Sequence, residues 1–292
     1  MQLENNRVRL SIADSGEATA PAVVFIHGVT LNSQTYGWLP GEIMRGRRIL
    51  RVDLRGHGRS EWMPGGYTLD RYAEDIASIV RERVGHPAVI VGHSLGGCIA
   101  WHLAQHCTEV VSAALMEDPP LFLGNRETFD RSGYREVFLA VREAVSAIQA
   151  QNSSEDEIVL QLSNMPTPDG STLSKVTTED TLRAIACGML RLDPTVIDAI
   201  LNCSTLAPVD LSTPVRIPAL ILAADPGLGA ALRAEDIRRL ADSHPNVPVV
   251  TVNGCGHMIH GSRQHRGLYL EHLNQFLDTH APANDGTIAQ SR

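Results

Sequence analysis

Apolar and polar positions follow two rhythms in the first part of the chain. Residues 7–13, RVRLSIA, alternate apolar with polar, the period of a half-exposed strand. Residues 22–26 (AVVFI) and 88–92 (AVIVG) are short apolar runs, as strands covered on both faces would be, and 47–54 (RRILRVDL) and 110–116 (VVSAALM) read as further strands. Between them the period lengthens. Thr68 stands where it can cap a helix over 68–84, with Leu69, Tyr72, Ile76, Ile79 and Val80 on one face, and 95–106 reads as a second helix. Strands alternating with helices predict a mostly parallel sheet with helices on both faces.

The rhythm breaks near residue 120. From there to 212 only helical spacing recurs: Tyr134, Val137, Phe138, Val141, Val145 and Ile148 on one face, a capping box at Ser154-x-x-Glu157, a helix over 178–191, and another opened by Asp193-Pro194. The first rhythm returns at Pro218, with a strand in PALILAA, a helix over 230–242, a strand in VPVVTVNG and a closing helix over 262–278. The polar tail from 281 reads as disordered. The expected organisation is an α/β core (1–120 and 213–280) interrupted by a helical segment (121–212).

Composition narrows the function classes. A chain of 292 residues suits one large domain with an insertion, and 43% hydrophobic with 20% charged residues is ordinary for a soluble protein. The net charge of −8 speaks against a nucleic-acid partner, and RGRRILR at 45–51, the densest basic run, straddles a strand start. No run has the length of a signal peptide's apolar core or of a membrane span, so a membrane partner is not expected. The cysteines at 98, 107, 187, 203 and 255 form no CxxC pair, which fits free thiols in a reducing cytoplasm. Cys255, two residues before His257, lacks the setting of a nucleophile. No His, Cys or carboxylate set has ligand spacing and the glycines of 92–97 follow no dinucleotide pattern, so neither metal nor organic cofactor is expected.

The stretch VGHSLGGCIA, residues 91–100, carries chemistry. Glycine costs about 1 kcal/mol against alanine inside a regular element. Three glycines around one serine, between an apolar strand and an apolar helix, therefore answer a geometric demand. Gly92-x-Ser94-x-Gly96 in that setting is a nucleophile elbow: a strained turn lifts the serine oxygen off the sheet and aims a helix N-terminus at it.

With this motif the sequence resembles the α/β-hydrolase fold family over residues 5–120 and 213–280. FIHGV (25–29) looks like the family's strand-end His-Gly, which implies an oxyanion hole built from the N–H groups of Val29 and Leu95. DLRGHGRS (53–60) is similar to a family loop in which His57 is structural. GCGHMIH (254–260) looks like the loop presenting the catalytic histidine, His257, with His260 as a neighbour. The helical segment stands where the family carries its cap. The acid is open between two places. The commoner one corresponds to LAADPGLGAAL, where Asp225 follows the strand immediately instead of a few residues on. The other ends the strand after the nucleophile helix, ALMEDPP, as in haloalkane dehalogenases and some lactone hydrolases. That resemblance favours Asp118, with Asp225 the alternative and Glu117 a third candidate. Strand alternation sends Glu117 and Asp118 to opposite faces.

The resemblance implies acyl transfer to water. Ser94 attacks a carbonyl, His257 is the general base, and an acyl-enzyme is hydrolysed. A serine at the elbow disfavours halide displacement and epoxide opening, for which the family uses aspartate. The expected substrate is a small to medium, largely apolar ester or lactone, with Phe122 and Leu123 beside Asp118 the leading pocket residues, and Phe129, Tyr134 and Phe138 assigned to helix packing. A C–C bond hydrolase of ring-cleavage products and a non-catalytic ligand-binding protein remain alternatives. A homodimer is compatible with the family.

Overall fold

The computed structural model describes residues 2–5, 8–167 and 170–284. Eight strands form one sheet: β1 (Gln2–Asn5), β2 (Val8–Ser15), β3 (Ala22–Ile26), β4 (Arg48–Asp53), β5 (Ala88–His93), β6 (Val111–Glu117), β7 (Ala219–Ala223) and β8 (Val249–Thr251). Their order is β1-β2-β4-β3-β5-β6-β7-β8. The first two strands join by antiparallel pairing, and all pairs from β4 to β8 are parallel. Strand alternation feeds two cores. Val24, Ile26, Val52, Ile90 and Met116 pack on one side, and Val23, Phe25, Val89, Val91 and Leu115 on the other.

The chain leaves β3 towards β4 and then returns to β5 on β3's other flank. The carboxyl ends of β3 and β5 thus frame a crevice where the winding direction reverses, the place in such sheets where ligands bind. The loops bearing His27-Gly28-Val29 and Ser94-Leu95 start at these two strand ends.

The helices are α1 (Gly41–Met44), α2 (Leu69–Ile79), α3 (Leu95–His106), α4 (Arg126–Arg131), α5 (Tyr134–Ala150), α6 (Glu155–Ser163), α7 (Leu173–Val176), α8 (Glu179–Leu190), α9 (Pro194–Leu201), α10 (Ala234–Ser243) and α11 (Arg266–His280). Six of them, α4–α9, lie between β6 and β7, and among the described residues of that segment the only β pairing is two isolated bridges, Pro166 with Thr172 and Thr177 with Ser262. The Ser154–Glu157 capping box forms, and Asp193 caps α9 through the Thr195 N–H. Apolar side chains of these helices, among them Val145, Leu182 and Ile197, continue the core on one side of the sheet.

Several expected details differ. Thr68 occupies the N-cap position of α2 but its side chain makes no capping bond, and the Leu69 N–H goes to the Thr205 carbonyl instead. α2 runs into a π turn over Val80–Val84 that Gly85 ends at φ 80°. α10 begins at Ala234 rather than 230, because the N–H groups of Ala231 and Leu232 are drawn to the Asp118 carboxylate. β8 is short: Pro248, just before it, has no N–H to donate. Residues 281–284 are docked rather than loose, Ala281 accepting from Arg47 Nε at 2.6 Å and the Asn284 N–H reaching the Gly46 carbonyl at 3.0 Å. The remainder of the tail, 285–292, lies outside the described residues. β1 had no signal beyond four polar-leaning residues.

Candidate active site

β5 ends at His93, α3 starts at Leu95, and Ser94 alone makes the corner, at φ 54° and ψ −114°. A non-glycine residue there is strained by about 1–3 kcal/mol and is held by its surroundings. Its N–H donates to the Glu117 carbonyl (2.9 Å) and its carbonyl accepts from Cys98 (3.0 Å). The glycines permit the turn. A Cβ on Gly92 would stand 2.1 Å from the Gly96 carbonyl oxygen, and one on Gly96 would stand 2.2 Å from that of Ile26. Both neighbours are backbone and cannot step aside. Gly28 is confined less severely and by side chains, its Cβ position lying 2.8 Å from His93 Nδ1 and 3.1 Å from the Ser94 Cβ. Val29 and Leu95 line the same cavity as Ser94, and neither backbone N–H meets an acceptor among the described residues.

His257 comes from the loop between β8 and α11. Its Nδ1–H donates to Asp118 Oδ2 at 2.6 Å. Asp118 is fully buried, with 0% of its side chain exposed against 27% for His257. The carboxylate also accepts from the N–H groups of Ala231 (2.7 Å), Ala224 (3.3 Å) and Leu232 (3.4 Å). At φ 41° the chain turns out of β6 at Asp118 itself. Asp225 stands elsewhere. It accepts from Gly254 (2.7 Å) and Gly227 (2.8 Å), whose N–H groups hold its carboxyl below the ordinary value, and it shapes the loop leading to His257 without reaching the ring.

Glu117, facing the other way, receives the backbone N–H of His260 at 2.9 Å and its Nδ1–H at 2.7 Å. Burial works to raise this carboxyl, but the neighbouring His260 and His93 imidazoles and the two His260 bonds hold it below its usual range. His93 donates from Nε2 to the His257 carbonyl at 3.2 Å. His93, Glu117 and His260 thus offer potential metal-ligand atoms within 4.8 Å of one another, a grouping invisible in sequence spacing. As a ligand set they fit poorly. Both Glu117 oxygens are already occupied by His260, and all three residues are fully enclosed. The arrangement instead ties the 257–260 loop to the ends of β5 and β6. His57 is buried and donates to the Arg55 carbonyl, away from this cluster.

A cavity of about 660 Å³ opens over Ser94 and His257. Leu123 lines it, as expected. Phe122 does not: the turn after Asp118 sends consecutive side chains to opposite sides, and the Phe122 ring lies under the Arg239 guanidinium, 4.5 Å from its carbon. Phe129, Tyr134 and Phe138, expected to serve only helix packing, face the cavity. Tyr134 lies beside the dyad, its ring 6.3 Å from that of His257, its hydroxyl donating to the Gly229 carbonyl at 3.0 Å. Burial and then the Asp118 charge raise its phenol, keeping it neutral. Its helical spacing was visible in sequence, its direction was not. Cys255 also borders the cavity, but burial pushes its thiol up to about 12, which leaves it a poor nucleophile. All five cysteines are free.

A sheet wound in this order, with an elbow serine at the crevice and a histidine–aspartate pair across it, is the α/β-hydrolase fold. A model of the alpha/beta hydrolase family matches residues 23–268, and the chain belongs to that family. It is 35% identical over 114 residues to a bifunctional esterase/perhydrolase of Acinetobacter calcoaceticus, a match covering 38% of this chain and 41% of that protein. The chain spans about 40% of the length of such curated relatives. Among solved structures, E-2-(acetamidomethylene)succinate hydrolase superposes with a TM-score of 0.73 at 22% identity, covering 95% of this chain and 98% of that one. Est816, described as an N-acyl homoserine lactone degrading enzyme, superposes with a TM-score of 0.69 at 20% identity, covering 94% and 100%.

Proposed function

We propose that the protein is a serine hydrolase that cleaves a carboxylic ester or lactone through an acyl-enzyme. The observation that carries this is the 2.6 Å bond from His257 Nδ1 to the buried Asp118, in a cavity shared with the elbow serine. With Nδ1 committed to Asp118, Nε2 is the nitrogen left to take the Ser94 proton. Asp118 fixes that tautomer and stabilises the imidazolium once it forms. The carbonyl oxygen, negative in the tetrahedral intermediate, would be held by the Val29 and Leu95 N–H groups. His257 then protonates the leaving group, and water attacks the acyl-enzyme by the reverse path.

Residues 121–212 act as the cap in this reading, supplying the apolar roof from α4, α5 and α8. A cavity of about 660 Å³ suits a small molecule rather than a polymer. The esterase and lactone-degrading activities named for the relatives agree with the reaction class. The acid on β6 rather than after β7 weighs against the C–C hydrolase alternative. The test is hydrolysis of p-nitrophenyl esters and small lactones by the wild type and Ser94→Ala in parallel. Turnover should fall by about 10⁴-fold or more in the variant. Equal rates in both proteins would remove the serine from the mechanism.

A further inference from the structure

The chain contains one lysine, Lys175. It lies on the wall of the cavity that holds Ser94 and His257. Its surroundings set it apart from the other basic residues. The protein as a whole is acidic, with 33 Asp and Glu against 25 Lys and Arg. Yet among the described residues no aspartate, glutamate or arginine lines this cavity, and Lys175 is its one lysine. Nearby arginines are engaged: Arg183 with Asp156 and Glu179, Arg266 with Asp180. Lys175 makes no ion pair among the described residues.

Its backbone is fixed with respect to the histidine. α7, which carries it, is laced to the chain just after His257. The Thr178 N–H donates to the Gly261 carbonyl (2.9 Å), the Arg263 N–H to Val176 (2.8 Å), and Arg263 Nε to Ser174 (2.9 Å). The Thr177–Ser262 bridge closes the same seam. Lys175 itself is solvent-exposed, but its backbone is anchored, through a few residues, to the loop bearing the proposed general base.

We propose that Lys175 is a specificity residue that binds a carboxylate on the substrate, remote from the carbonyl that Ser94 attacks. This rests on the hydrolase reading above and narrows its substrate class to monoanionic esters or lactones whose apolar middle spans the cavity. One ammonium without an arginine or a second lysine matches one negative charge and lacks the bidentate fork that favours phosphate. Lys175 is solvent-exposed, so the attraction is open to screening by salt.

The test compares p-nitrophenyl esters in matched pairs: the mono-esters of succinic, glutaric and adipic acid against butyrate, pentanoate and hexanoate, which carry a methyl group where the acids carry a carboxylate. In the wild type at low salt, at least one charged member should exceed its neutral partner by about tenfold or more in kcat/KM, through KM. That ratio should collapse to about one in Lys175→Met, persist in Lys175→Arg, and shrink in high salt. A wild-type ratio near one, or a ratio retained in Lys175→Met, overturns the proposal. Calorimetric binding of monomethyl glutarate and dimethyl glutarate to Ser94→Ala, with and without Lys175→Met, separates the two readings. A Lys175-dependent preference for the monoanion without wild-type turnover of any ester keeps the anion site and discards the hydrolase. Turnover of neutral esters without that preference does the reverse.

Discussion

At the scale of single residues, the site contrasts two carboxylates with different duties. Asp118 accepts one histidine and three backbone N–H groups, and Asp225 accepts backbone only. Asp118→Asn should therefore lower kcat by roughly three to four orders of magnitude, because an amide favours the wrong imidazole tautomer. It should also lower Tm, since one of the acceptor oxygens becomes an NH₂. Asp225→Asn should keep most of the activity. Steady-state kinetics and thermal melts of the two variants check both statements, and a large kcat loss in the Asp225 variant alone would reassign the acid. Much of this was legible in the sequence because strand-end chemistry is local. A serine between glycines, a Gly-His after an apolar strand and a Glu-Asp pair at a strand end each carry their own short context. Side-chain direction after such a strand end does not. Phe122 and Leu123 are equivalent on paper, and only the turn begun at Asp118, with its φ of 41°, decides which one meets the cavity. The Glu117–His260 bond joins residues 143 positions apart, a distance no local pattern spans.

At the scale of elements, close backbone approaches fix how strands and helices meet. A Cβ on Gly188, in the last turn of α8, would stand 2.0 Å from the Thr30 carbonyl oxygen, on the loop that carries Val29. Gly188→Ala should push this loop outward. Because displacements near 1 Å at a reacting centre cost about a hundredfold, kcat should fall by roughly ten- to a hundredfold with the fold retained. Stopped assays paired with circular dichroism test this; unchanged kcat would show that α8 shifts instead of the loop. Gly96→Ala is harsher, its Cβ meeting the Ile26 carbonyl at 2.2 Å where α3 packs on β3, and it should yield little folded protein. The identities of β3 and β5 followed from their apolar runs because both are covered on both faces. Element boundaries were less legible where tertiary bonds intervene. α10 loses its first turn to the Asp118 carboxylate, and β1 is defined by its pairing with β2 rather than by its own composition.

At the scale of the whole molecule, stability should depend on pH through buried histidines. Burial lowers His57 to about 3, aided by the charge of His27, against the opposing bond to the Arg55 carbonyl. Burial also lowers His27, and lowers His93 well below its ordinary value. His27 shows why: its Nε2 accepts from the Leu54 N–H at 3.1 Å, an acceptor it would lose on protonation. Below about pH 6.5 the unfolded chain takes up these protons while the folded chain does not. The unfolded state then binds more protons, so stability falls as pH drops, by about 1.4 kcal/mol per unit for each such histidine until its folded value is reached. Urea denaturation at pH 7, 6, 5 and 4 should show this slope, and a flat profile between pH 7 and 5 would contradict it. The solitary lysine has a practical consequence as well. An amine-selective reagent finds a single side-chain target in this protein, on the wall of the cavity. With the α-amino group, the more reactive amine near neutral pH, blocked beforehand, acylation would place one reporter dye there without engineering a cysteine, whereas attaching the protein to a resin through its side-chain amine would tether it by the wall of its own cavity.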